Sequence, residues 1–277
     1  MLVKTFCAEV TGLEATTVTI EVNLTRGMMF HLSGLADTAV KESYDRIRAA
    51  VANIGLKPPT ADITINLSPA DIRKEGSGYD LPLAIGILAA HGKVSDMLLK
   101  GYMMIGELGL DGSLKPVNGI LSVAIRARRE NFKGLFVPRA NAREAAVVND
   151  LKVYGVDNLT DVISFLNGSG EYEPTFVDTR KEFYEHQYSF DLDFADVKGQ
   201  YGVKRALEVA AAGGHNIIMV GPPGSGKSMM ARRLPSILPP LSLAESLETT
   251  QIHSVAGKLS SGTSLISQRP FRSPHHD

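Results

Sequence analysis

The sequence predicts an α/β (α+β) protein of two segments, and three observations predict it. Strand-like and helix-like periodicities alternate from residue 1 to about residue 167. A glycine-rich loop between an apolar strand and a helix follows after residue 196. Between them, Glu171 to Asp196 carries eight acidic residues against Arg180 and Lys181, the mark of a solvated connection. The expected organisation is a domain over 1–167, an acidic linker over 168–195 and a second domain over 196–277. The chain has 277 residues, close to two domains at roughly 150 residues each. Its 44% hydrophobic and 21% charged residues exclude a mainly disordered chain. The net charge of −1 excludes a wholly basic nucleic-acid module and leaves room for a local basic face. The single cysteine, Cys7, excludes an intrachain disulfide and a cysteine-built metal site. MLVKTFCAEV lacks the regions of a signal peptide, and no apolar run approaches ~18 residues. A cytoplasmic protein without a membrane span is expected.

The elements follow in order. Val18, Ile20, Val22 and Leu24 alternate with polar neighbours, so residues 1–35 read as strands. Val40, Tyr44, Ile47, Val51 and Ile54 recur at helical spacing, with Asp37 as N-cap and Gly55 as stop. Pro58-Pro59 forces extended backbone before a strand at Ile63–Leu67. The polar loop 68–78 precedes a helix from Tyr79 to His91, whose unbroken apolar run predicts burial. A strand at Tyr102–Ile105, a turn at Asp111-Gly112 and a helix at Gly119–Glu130 come next. Strands at Leu135–Val137 and Val153–Val156 alternate with helices at Ala142–Asn149 and Leu159–Leu166. In the second segment, Gln200–Ala212 reads as a helix and Asn216–Val220 as a strand. A further helix runs from Gly226 and ends before Leu238, kinked or stopped by Pro235.

Residues Gly221, Pro222, Pro223, Gly224, Ser225, Gly226, Lys227 and Ser228 match G-x-x-x-x-G-K-[ST] without departure. Glycines permit the backbone conformations that turn successive N–H groups around phosphate oxygens. Lys227 supplies a cation for β- and γ-phosphates, and Ser228 a hydroxyl ligand for Mg²⁺. ATP and Mg²⁺ are therefore the expected ligands. Hydrolysis needs in addition a carboxylate at the end of an apolar strand. After Ser228 the acidic residues are Glu245, Glu248 and Asp277, and none follows one. The chain is expected to bind nucleotide and hydrolyse it poorly.

DFADVKGQYGVKRALEVAAAGGHNIIMVGPPGSGKS and the closing RPFRSPHHD resemble the magnesium-chelatase-like branch of AAA+ ATPases. Over its whole length the chain is similar to the YifB/ComM family. The resemblance implies that the AAA+ module is truncated here, before its Walker-B strand, sensors and lid. It also implies a hexameric ring and ATP-driven action on single-stranded or branched DNA in recombination and transformation. The rival expectation is a chelatase-like ATP-dependent chaperone acting on a protein or metal-insertion partner. The first domain resembles the Lon-protease proteolytic domain, a βαβ fold shared with a small ribosomal protein. RKEGSGYDLPLAIGILAA and IGELGLDGSLKPVNGILSVAIRA carry that likeness. They place Gly78 at the nucleophilic serine and Leu121 at the catalytic lysine. The implied domain is an accessory, non-proteolytic scaffold, favoured over a shifted dyad of Ser77 and Lys115.

Other candidates have plainer readings beside the functional ones. Arg126, Arg128, Arg129, Lys133, Arg139 and Arg143 read as a solvated face ahead of a phosphate-binding one. Arg232 and Arg233 face solvent or a subunit. Asp80 and Asp111, lone carboxylates at a helix start and a turn, are read as capping residues ahead of catalytic ones. Met28, Met29, Met103 and Met104 are read as core. His275 and His276 are read as non-metal residues.

Overall fold

Period-two patterning in the first 35 residues produces a hairpin of β1 (Leu2–Thr11) and β2 (Glu14–Thr25), paired antiparallel throughout. The computed structural model describes residues 2–260 and 262–273. They divide into one unit of Met1–Val177 with Thr250–Ser264 and another of Asp178–Thr249 with Leu265–Asp277. The boundary thus falls ten residues beyond the expected one at 167, and 250–264 returns to the first unit.

In the first unit β3 (Phe30–Ser33) lies parallel to β4 (Asp62–Ser68), and β4 pairs antiparallel with β2. β5 (Tyr102–Met104) precedes a small hairpin of β6 (Glu107–Leu108) and β7 (Leu114–Lys115). β8 (Gly134–Pro138) and β9 (Lys152–Val156) continue the main sheet in parallel beside β5. The seven-stranded sheet has the order β3-β4-β2-β1-β5-β8-β9. α1 (Thr38–Asn53) starts at Asp37, whose side chain accepts the Val40 N–H as read from the sequence. α2 (Asp80–Ala90) is buried from Asp80 to Ala89, as its unbroken apolar run requires. It lies so close to β2 that a Cβ on Gly86 would stand 2.8 Å from Val22 Cγ2. α3 (Ile120–Arg129), α4 (Ala142–Ala145) and α5 (Leu159–Leu166) complete the unit, α4 being shorter than the expected Ala142–Asn149. Met103 and Met104 are core residues, but Met28 and Met29 are exposed on the β2–β3 connection. β2 already ends at Thr25, and Gly27, at φ +150°, lies in the bend that precedes them.

In the second unit the expected linker contains α6 (Thr179–His186), capped by Asp178 and anchored by the buried Phe183. α7 (Tyr201–Gly213) and α8 (Lys227–Arg233) follow, and α8 ends in a 3₁₀ turn that carries Pro235. Phe194, Val197, Leu207 and Met230 form the small core that holds them. α9 (Leu243–Val255), absent from the sequence reading, belongs to this unit up to Thr249 and to the first unit thereafter. The expected strand at Asn216–Val220 is not formed, so the α/β description fits the first unit, while the regular elements among the described residues of the second are all helices and 3₁₀ turns. A strand exists only through hydrogen bonds to a neighbour. No other strand is present in this unit among the described residues, and Ile218 and Val220 are 85% and 90% exposed.

Candidate functional site

Two places bring chemistry-bearing residues together, one in each unit. In the first unit the sheet order reverses direction between β1 and β5. The chain leaves β1 toward β2 and leaves β5 toward β8. The carboxyl ends of strands at such a reversal form the usual ligand crevice of open α/β sheets. A cavity of about 370 Å³ opens there, lined by Glu9 and Val10 of β1, the 75–79 loop, Glu107, Asn118 and Val255.

The 75–79 loop is fixed from both sides. Asp37 caps α1 through one oxygen and accepts the Gly76 N–H through the other at 3.1 Å. Lys74, fully buried, donates its ammonium to the carbonyls of Pro69 and of Ile72, the latter at 2.7 Å. Burial pushes that lysine's pKa down. Within the cavity the Tyr79 hydroxyl donates to Glu9 Oε2 at 2.5 Å, and the Glu75 N–H to the same oxygen at 3.1 Å. Burial raises the Glu9 pKa against those hydrogen bonds, and the charges of Glu75 and Asp37 raise it further. Burial likewise pushes the Tyr79 phenol up, so it stays a donor at neutral pH.

The residues that the sequence placed here as dyad positions have no dyad chemistry. Gly78 has no side chain, and a Cβ there would stand 3.1 Å from Ile105 Cγ1. Leu121 is fully buried, its N–H donated to Glu144 Oε1 at 3.0 Å. The Ser77 hydroxyl donates to the Glu107 carboxylate. Lys115 stands opposite Glu107 in the β6–β7 hairpin and is exposed. The serine is therefore held by an acid and not by an amine.

Asp80 is no helix cap. Its fully buried carboxylate takes Arg46 Nε at 2.8 Å and Nη2 at 2.9 Å, and the Leu108 N–H at 3.1 Å. Asp111 accepts the Ser113 N–H and hydroxyl within its turn. The α3 basic face is largely tied up, Arg126 with Glu130 and Arg128 with Asp150, while Arg139 bonds Asp157.

In the second unit the loop Gly221–Ser228 leads into α8 without the expected strand before it. Gly224 and Gly226 adopt φ of +77° and +85°, where side chains are strained. Lys227 folds back and donates to the carbonyls of Gly221 and Pro222, both at 2.8 Å, and to Ser225 Oγ at 3.2 Å. Ser228 is exposed in the first turn of α8. The donor types fit a phosphate chain with its metal: the N–H groups of a glycine-rich loop, a hydroxyl, and an ammonium held on carbonyls that a ligand can replace. Arg233 bonds Asp196 Oδ2 at 3.3 Å and so faces its own unit. Lys204 bonds the Val197 carbonyl at 2.6 Å, which fixes the 193–197 turn beside α7.

Among the described residues no group of three or more His, Cys, Asp and Glu side chains is arranged to hold a metal. His275 and His276 lie outside the described residues. Among the described residues no helix is long and apolar enough to cross a membrane.

The sequence matches two families, subunit ChlI of Mg-chelatase over residues 20–141 and magnesium chelatase, subunit ChlI, over residues 193–277. It is 45% identical to the uncharacterized protein Rv2897c of Mycobacterium tuberculosis, over 99% of this chain and 54% of that protein. It is 42% identical to the competence protein ComM of Haemophilus influenzae, over 96% of this chain and 52% of ComM. It is 41% identical to YifB of Escherichia coli, over 96% of this chain and 51% of YifB. The chain thus spans about half the length of these relatives. A more distant likeness, 25% identity over 51% of the chain, is to Lon protease 2 of Bacillus subtilis.

Proposed function

The chain belongs with the Mg-chelatase ChlI-like proteins, as a homologue of the N-terminal part of YifB and ComM, and on that premise we propose that it is the nucleotide-binding part of an ATP-driven motor acting on DNA. The observation that carries the nucleotide half of this reading is the Gly221–Ser228 loop, with its two left-handed glycines and a lysine parked on loop carbonyls. ATP with Mg²⁺, when bound, supplies the free energy of phosphoryl transfer. Lys227, now on the Gly221 and Pro222 carbonyls, would pair with phosphate oxygens, and Ser228 would hold the metal through its hydroxyl. Glu245 is engaged in capping α9 through Ser242, so it is not the carboxylate that would orient an attacking water. Nucleotide binding with slow hydrolysis is the reading for this chain. The organisation that goes with this proposal is a Lon-protease-like, non-proteolytic accessory domain followed by AAA+ sequence that works in a hexameric ring.

The DNA half rests on homology to a competence protein. Of the α3 arginines, Arg126 and Arg128 are paired with Glu130 and Asp150, so this face does not carry the DNA reading. The match to magnesium chelatase favours one rival, an ATP-dependent chaperone for a protein or metal-insertion partner. Binding of a fluorescent ATP analogue in the presence of Mg²⁺ tests the first half. Lys227→Ala should weaken it at least about tenfold, or about 1.4 kcal/mol. Equal affinity would overturn the assignment of the loop. Salt-dependent binding of the full-length protein to forked DNA tests the second half, and no binding at low salt would favour the chaperone.

A further inference from the structure

We propose that the crevice between β1 and β5 is a docking groove for an extended peptide segment bearing Lys or Arg side chains, added as a strand to the open edge of β1. Three observations carry this. The first is the edge itself. β1 is paired with β2 along its whole length, but on its other side its register with β5 is the single pair Phe6↔Met103. β5 ends at Met104 because the next two N–H groups are drawn away from β1. Ile105 donates to Phe136 O at 3.1 Å and Gly106 to Gly78 O at 2.9 Å. The two strands splay apart, and Ala8, Glu9 and Val10 border the cavity. Backbone groups on such an edge are satisfied by an added strand, which sits about 4.8 Å away.

The second observation is room and recess. The cavity of about 370 Å³ is lined by Ala8–Val10 of β1 and also by Pro116–Gly119 and Val255. A recessed edge admits a single extended segment while refusing the edge of a folded sheet, the hazard that exposed edge strands carry. The third is charge. Glu9, Glu75 and Glu107 line the cavity, and among the described residues no Lys or Arg does. Carboxylates on one wall of a groove select cationic side chains and reject acidic ones. The groove holds such a segment without cutting it, since Gly78 and the buried Leu121 supply neither nucleophile nor base.

The test uses the 277-residue chain and fluorescein-labelled nonapeptides read by fluorescence polarisation. One peptide alternates Val with Lys, a second alternates Val with Glu. Two further versions of the Lys peptide are N-methylated on one or the other alternate set of amides. The Lys peptide should bind at least about tenfold more tightly than the Glu peptide. One methylated version should lose that binding and the other keep it, because only one set of amides faces β1. Glu75→Gln with Glu107→Gln should weaken the Lys peptide about tenfold. Gln at 107 preserves the acceptor for Ser77, and far-UV circular dichroism checks that the double variant is folded. The bound Lys peptide should slow amide exchange at Ala8–Thr11. Equal binding of Lys and Glu peptides, indifference to both methylation patterns, or wild-type affinity in the double variant would each overturn the proposal.

Discussion

Removing Arg46 should destabilise the first unit by about 3–5 kcal/mol, because it strands a buried charge. The Asp80 side chain is 0% exposed and holds three hydrogen bonds, two of them from Arg46, which is itself 23% exposed. Arg46→Met keeps the packing of the stem and deletes both charged donors. The carboxylate is left with the Leu108 N–H as its remaining partner of the three. For a unit of this size each kcal/mol moves the melting temperature by about 2–4 °C, so a fall of about 6–20 °C is expected. The assay is urea and thermal unfolding followed by circular dichroism, run as a double-mutant cycle. Asp80→Leu with Arg46→Met should recover at least half the loss. Replacing both partners removes the orphaned charge and leaves the Leu108 N–H alone without its acceptor. A cost below about 1 kcal/mol for Arg46→Met, the range of exposed pairs, would refute the reasoning.

Three further outcomes follow from the same structure. Lys74→Met removes the ammonium from two carbonyls of the 69–72 turn and should cost about 1–3 kcal/mol, seen as a lower urea midpoint; an unchanged midpoint would show that the turn holds itself. Glu9 has a folded-state pKa above its ordinary value. The folded state therefore binds more protons than the unfolded between the two values, and stability falls as pH rises through that window. Glu9→Gln should flatten that fall in a pH series of urea midpoints, and a parallel profile would remove Glu9 as its source. Ile218→Thr, at an 85% exposed site, should change stability by no more than about 0.5 kcal/mol. Met104→Thr, in the core, should cost about 2 kcal/mol or more in the same assay; equal costs would mean that Ile218 is packed.

Most of the first unit was legible in the sequence because its elements carry local signals. The alternation of Val18, Ile20, Val22 and Leu24, the Asp37 cap and the apolar α2 each report one element without reference to the rest of the chain. α9 was missed, although a local signal marks it: Ser242-Leu243-Ala244-Glu245 has the S-x-x-E spacing, and the Ser242 and Glu245 side chains cap each other's N–H groups. Asn216–Val220 shows the limit of such signals. Its composition is that of a strand, but a strand is a relation between two segments. None of the described residues in its unit supplies the second.

The two candidate sites differ in legibility for the same reason. The proposed phosphate loop is written in eight consecutive residues, because one turn leading into α8 carries every donor assigned to it. The β1–β5 crevice draws on residues 9, 75–79, 107, 118 and 255, and no spacing rule joins them. One clue was available in advance. Asp80 opens a helix with no other charge, DLPLAIGILAA, and a carboxylate at the head of a buried helix requires a partner. Arg46 answers that need from 34 residues away. The ion pair anchors the start of α2, and with it the 75–79 loop that leads into it. A residue read as a cap thus positions one wall of the crevice. Arg46→Met should therefore also blunt peptide docking under conditions where the chain remains folded, and unchanged docking there would separate the ion pair from the groove.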